Sequence, residues 1–142
     1  RSTVVHGDYK LDNVMFAPDA PAQLIAIFEW EMATIGDPLA DLGWLMHTWG
    51  KPDVVVEGDA LPLTAEEGFA TMEELDARYA DRTGRTMDDF TFYHVMALWK
   101  MAIILEGLYV GYRTGTASNP AAAEFEFRVP RLIERARMLM AR

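Results

Sequence analysis

The stretch VVHGDYKLDNVMF, residues 4–16, packs a histidine, two aspartates, a lysine and an asparagine between two short apolar runs. Each polar type offers a different chemistry. Asp8 and Asp12 can accept a proton or bind a hard cation. His6 can carry a proton or simply hydrogen-bond, Lys10 can meet an anion, and Asn13 offers an amide oxygen to a metal. Asp and Asn are also turn residues that bond to their own backbone, which would make the cluster structural. A further reading joins Asp8 and Asp12 to Glu29 as the clustered carboxylates of a metal-dependent hydrolase.

The order of the residues narrows these readings. His6, Asp8 and Asn13 follow the pattern H-x-D-x-x-x-x-N, which is the spacing of a kinase catalytic loop. There the aspartate must reach the hydroxyl that attacks phosphorus. The asparagine must turn back to hold a magnesium ion beside the same phosphate. Four intervening residues form a loop short enough to aim both at one point, and an acidic residue on the next hairpin strand should complete the metal site.

A scaffold has to hold such a loop. NVMF (13–16) and LIAIF (24–28) read as two strands joined by the turn-rich APDAPAQ, and TVV (3–5) reads as a further short strand. From Gly36 the pattern turns helical. Asp37 is the expected N-cap with Pro38 at the first helical position, and Gly50 and Pro52 end that helix. Residues 51–63 read as a loop. Thr64 and Glu67 match a capping box for a helix with Phe69, Met72, Leu75 and Tyr79 on one face, stopped by Gly84. Thr86 with Asp89 opens the next helix, which runs to about Thr114 and stops at Gly115. A last helix opens near Asn119-Pro120. Pro130 is expected to interrupt or kink it, leaving Leu132, Ile133, Ala136 and Leu139 facing inward. The fold class expected is α+β, mostly helical, with a small β-hairpin beside the polar loop.

Composition sets outer bounds. The 142 residues suffice for one compact domain, and 51% hydrophobic residues can fill its core. A net charge of −9 disfavours nucleic acid and anionic membrane surfaces, both of which need a basic protein face. The chain holds no cysteine, so disulfides and thiolate metal sites are excluded and a reducing compartment is allowed. With no visible signal peptide, the expected location is cytoplasmic. Residues 90–112 are long and apolar enough for a membrane span. However, Lys100 and Glu106 lie inside, each costing about 2.5–3.5 kcal/mol near a bilayer centre, so the expectation is a buried core helix. The chain starts at Arg1 rather than Met, directly before the polar loop, which reads as a fragment or processed chain.

The segment VVHGDYKLDNVMF, followed by LIAIFEWEMATIGDPLADLGWLM, resembles the aminoglycoside phosphotransferase-like family of small-molecule kinases, and within it the branch associated with acyl-CoA dehydrogenases. Residues 3–49 carry the resemblance, with ALWKMAIILEG and PRLIERA also similar to that branch. It implies the C-lobe of a protein-kinase-like fold, and transfer of the ATP γ-phosphoryl group to a small-molecule hydroxyl with Mg2+. By that resemblance Asp8 matches the catalytic base and Asn13 a magnesium ligand. His6 is a structural loop histidine, and Asp41 hydrogen-bonds the loop from the next helix. Lys10 corresponds to a phosphate-contacting lysine. The family pattern is Asp-Trp-Glu where this chain has Glu29-Trp30-Glu31, so Glu29 would be the second metal ligand, one methylene longer.

Residues 1–142 are accordingly expected to be the catalytic C-terminal lobe of a phosphotransferase, without the N-terminal nucleotide-binding lobe. No glycine-rich loop or strand lysine stands in the chain to grip the α- and β-phosphates. Alone it should be nearly inactive, and the face left by the missing lobe should promote self-association. The substrate expected is a small hydroxylated molecule, a hydroxyacyl compound by the branch resemblance. A non-catalytic kinase-like binding module and, behind it, the hydrolase are the alternatives.

Overall fold

A computed structural model describes residues 2–50 and 62–141. The chain divides into two compact units, Arg1–Phe90 and Thr91–Arg142.

The first unit holds two small antiparallel sheets. β1 (Thr3–Val5) pairs with β4 (Thr34–Gly36), with Val4 opposite Ile35. β2 (Val14–Phe16) and β3 (Leu24–Ile27) form the expected hairpin, with Val14 opposite Ile27 and an irregularity between Met15 and Phe16. β4 was not expected from the sequence: three residues whose partner lies about thirty positions earlier carry no local signal.

α1 (Leu39–Thr48) follows at once. Asp37 acts as the cap: its Oδ1 accepts from Leu39 N at 3.0 Å and its carbonyl from Ala40 N at 3.0 Å. Leu39, Leu42, Trp44 and Met46 of this helix are buried with Val5 and Met72. Each such side chain contributes about 1.5–3 kcal/mol when taken from water.

The second helix departs from expectation. α2 spans Met72–Thr83, and its capping box is Thr71 with Glu74. Thr64, expected as the cap, sits in the 3-10 turn Leu63–Ala65 instead. Two facts decide between these like patterns. The Thr64 hydroxyl is occupied by Gly50 N at 2.8 Å, and Gly68 at φ +100° turns the chain away from a helix. Phe69 therefore lies before the helix, edge-on to Trp49 at 5.9 Å between ring centroids. Gly84 ends α2 at φ +65°, as expected. Pro52 and most of the expected 51–63 loop lie outside the described residues.

The second unit carries most of α3 (Phe90–Arg113), which opens on the last residue of the first, together with a 3-10 turn (Pro120–Glu124) and α4 (Phe125–Met140). α3 is long and apolar enough to cross a membrane by length and composition. The expectation that its aromatic and apolar residues are core holds on one side only. Phe90, His94, Ala97, Leu98 and Ala102 are buried, while Phe92, Trp99, Ile103 and Val110 are exposed. A helix apolar all round needs cover all round, and only one side of this helix is buried. Pro130 does not interrupt α4, which continues to Met140. The proline is exposed, so water can reach the Glu126 carbonyl that it leaves without an amide partner. Of the residues expected to face inward, Ala136 is buried, Leu132 and Leu139 are half-buried, and Ile133 is exposed.

Candidate active site

The polar loop follows β1 and is clamped from two directions. Asp41, in the first turn of α1, accepts His6 N through Oδ2 at 2.7 Å and Gly7 N through Oδ1 at 2.8 Å. Two adjacent amides pointing at one carboxylate demand a sharp backbone turn. Gly7 supplies it at φ +84°, where a Cβ would stand 2.6 Å from the Met32 carbonyl oxygen.

His6 is the second clamp, and it is buried. Its Nε2 lies 2.6 Å from the Phe28 carbonyl oxygen, and its Nδ1 accepts from Asp8 N at 3.2 Å. Those two partners require the Nε2–H tautomer. The ring also lies against Trp30, 4.7 Å between centroids. With both nitrogens engaged by backbone, His6 ties the loop to the end of β3.

Asp8 and Asn13 are brought together across the 3-10 turn Leu11–Asn13. Asn13 Nδ2 donates to the Asp8 carbonyl at 2.8 Å and to Asp8 Oδ2 at 2.9 Å. Lys10 Nζ lies 3.3 Å from the same Oδ2. Trp44 Nε1 donates to Asp8 Oδ1 at 2.6 Å. Burial pushes the Asp8 carboxyl up, but the hydrogen bonds from Asn13 and Trp44 and the Lys10 charge outweigh it and hold the group below the ordinary carboxylate range.

Asn13 is buried, and with its amide nitrogen committed to Asp8 its Oδ1 has no partner among the described residues. The Asn13 carbonyl accepts from Phe28 N at 2.8 Å, which sets Glu29 as the next residue along. Glu29 is exposed, adopts φ +60° and ψ +53°, and its carboxylate too is unpaired among the described residues. An amide oxygen and a carboxylate are hard donors suited to magnesium. That ion usually keeps several waters and takes one or two protein oxygens plus substrate phosphates. Asn13 and Glu29 therefore fit the ion by donor type.

The hydrolase arrangement does not form. Among the described residues no three His, Asp or Glu side chains are grouped to hold a metal, so Asp8, Asp12 and Glu29 are not a carboxylate cluster. Asp12 is exposed in the turn. Trp44 is the contributor that sequence reasoning missed. It stands three residues after Asp41 on α1, which puts both on one helix face. That spacing was the available signal.

Against known proteins, the profile of the phosphotransferase enzyme family matches residues 1–93. Acyl-CoA dehydrogenase family member 10 of Mus musculus is 33% identical over 127 residues, covering 87% of this chain and 12% of that protein. Family member 11 of Gallus gallus is 31% identical over 137 residues, covering 93% of this chain and 18% of its own length. The chain thus spans less than a fifth of these curated relatives. Among solved structures, one from Ralstonia eutropha JMP134 assigned to aminoglycoside phosphotransferase superposes with a TM-score of 0.77 at 29% identity, over 99% of this chain and 43% of that one.

Proposed function

The chain belongs to the phosphotransferase enzyme family and has the fold of the C-terminal part of a kinase-like protein, and from that premise we propose that it supplies the catalytic half of an ATP-dependent kinase acting on a small-molecule hydroxyl. Asp8 takes the hydroxyl proton as that oxygen bonds to the γ-phosphorus and the bond from phosphorus to the departing ADP oxygen breaks. Asn13 Oδ1 and Glu29 would hold magnesium, which when bound neutralises charge on the phosphates. Lys10, now on Asp8, is near enough to the loop to turn to a phosphate oxygen. His6 and Asp41 hold the loop still.

One observation carries the reading: the two ends of the Asn13 amide are used differently. Its nitrogen fixes Asp8 and its oxygen has no partner among the described residues, which supports a proton acceptor and an open hard oxygen donor held in one geometry. A depressed carboxyl is a weak base, which suits a reaction whose loose transition state asks for positioning and charge neutralisation more than early proton removal. The α- and β-phosphate contacts are assigned to a nucleotide-binding lobe outside these residues.

A binding module without catalysis has one observation in its favour: both Asp8 oxygens already carry partners. The experiment separates the two. Small hydroxylated acceptors, hydroxyacyl compounds first because of the names of the relatives, are screened with labelled ATP and magnesium. The protein used joins this chain to its nucleotide-binding lobe. Asp8→Asn should lower kcat by about 10²–10⁴-fold while leaving the KM for ATP nearly unchanged. Equal turnover in the two proteins would remove Asp8 from the role.

A further inference from the structure

We propose that Trp44 is a positioning residue for the Asp8 carboxylate, holding it at Oδ1 so that one lone pair of that oxygen stays open for the substrate hydroxyl. The inference rests on the kinase reading above.

The geometry is specific. An indole nitrogen can only donate. At 2.6 Å from a carboxylate oxygen it makes a short, charge-assisted bond. Asp8 Oδ2 is crowded, with Asn13 at 2.9 Å and Lys10 at 3.3 Å, whereas among the described residues Oδ1 accepts from Trp44 alone. Held at both ends, the carboxylate plane cannot swing, and Oδ1 keeps a second lone pair. α1 thereby grips the loop twice, with Asp41 on the His6 and Gly7 amides and Trp44 on the reacting group itself. The competing account is that Trp44 is merely core, since it is only 5% exposed. Phenylalanine would serve a core of that kind almost as well, without the N–H.

The other tryptophans provide internal controls. The Trp30 and Trp49 indoles donate to the carbonyls of Ile27 and Ala70, at 2.8 and 2.7 Å, and Trp99 is exposed. The test has two arms. In proton–nitrogen spectra of the 142-residue chain, the Trp44 indole signal is assigned in the wild-type protein through its connection to the Trp44 backbone. Introducing Asp8→Asn should move that signal upfield and leave those of Trp30, Trp49 and Trp99 in place. In the protein with its nucleotide-binding lobe, Trp44→Phe should lower kcat between about tenfold and a hundredfold, with the KM values for ATP and acceptor little changed. An unmoved Trp44 signal in Asp8→Asn overturns the proposal even if Trp44→Phe does not fold. So does wild-type kcat in a folded Trp44→Phe protein. Wild-type turnover in Asp8→Asn would instead remove Asp8 from its role, and the role of Trp44 with it, whereas absence of any turnover in the wild-type protein would sink the kinase reading.

Discussion

Asp41 offers a stability test that needs neither nucleotide nor substrate. Its two carboxylate oxygens each accept a backbone amide of the loop, at 2.7 and 2.8 Å. In Asp41→Asn one oxygen remains, and the new NH2 group faces an N–H. That exchange loses a hydrogen bond to a charged group, worth about 1.5–3 kcal/mol, and leaves a donor unsatisfied at about 1–3 kcal/mol. Water can reach the half-buried Asp41 and relieve part of this, so a net loss of about 2–4 kcal/mol is expected. Against a total of roughly 5–15 kcal/mol that is a large share. The order of variants is sharper than the magnitude. Asp41→Ala leaves room for water to serve both amides, whereas the asparagine presents a donor to one of them, so Asp41→Asn should be at least as damaging. Urea unfolding of the chain followed by far-UV circular dichroism measures both variants. Hydrogen exchange at His6 and Gly7 should quicken in each. A loss below about 0.5 kcal/mol in Asp41→Asn, the level of an ordinary surface change, would refute the clamp.

Three further outcomes follow from the same structure. Thr71→Ala should cost about 1 kcal/mol and loosen the first turn of α2, read by exchange at the Glu74 amide, while Thr64→Ala should leave that amide alone. Asp8 has a folded-state pKa below its unfolded value of about 3.9, so its stabilising contribution is complete above that pH and lost as pH falls through the lower folded value. Urea midpoints of wild type and Asp8→Asn between pH 5 and pH 2.5, both pH values being roughly chosen limits, should therefore converge toward the acid end; parallel curves would contradict the shift. Glu29→Asp should lower the magnesium needed for half-maximal kinase rate in the protein with its nucleotide-binding lobe, and a requirement equal to or above that of wild type would mean Glu29 is an adapted ligand or none.

Local chemistry was legible wherever the deciding partner lay close in sequence. The β2–β3 hairpin, the Asp37 cap, the glycine stops at Gly84 and Gly115 and the Asn119-Pro120 opening are all of that kind. The Asp8–Asn13 contact was legible too, since four intervening residues leave the loop few ways to close. What escaped was decided at a distance. Thr64–Glu67 and Thr71–Glu74 are equivalent boxes on paper, and only the bond from Gly50 to Thr64 and the turn at Gly68 tell them apart. β4 exists because β1 passes beside it. The apolar run 90–112 announces a helix but not which side of it is covered. Trp44 was given no role because composition does not reveal where an indole N–H points.

Glu29 shows how the site and the fold constrain one another. A non-glycine residue in the left-handed region costs about 1–2 kcal/mol, and Glu lacks the short side chain that lets Asn or Asp bond locally there. Among the described residues its side chain has no bonding partner that would hold the conformation. The neighbours do so instead. Phe28 is fixed at both ends, its N–H on the Asn13 carbonyl and its carbonyl opposite His6 Nε2. Trp30 is fixed by its indole on Ile27 and its ring against His6. Between two pinned residues, Glu29 takes the backbone it is given, with its carboxylate left unpaired. Strain of this kind survives where surroundings over-determine it. The surroundings here are the same contacts that set Asn13 and His6, so the backbone at position 29 is a property of the loop rather than of the side chain. Glu and Asp at this position therefore differ in reach and in a small backbone cost, not in where the chain places them, which is why exchanging one for the other isolates side-chain length from fold.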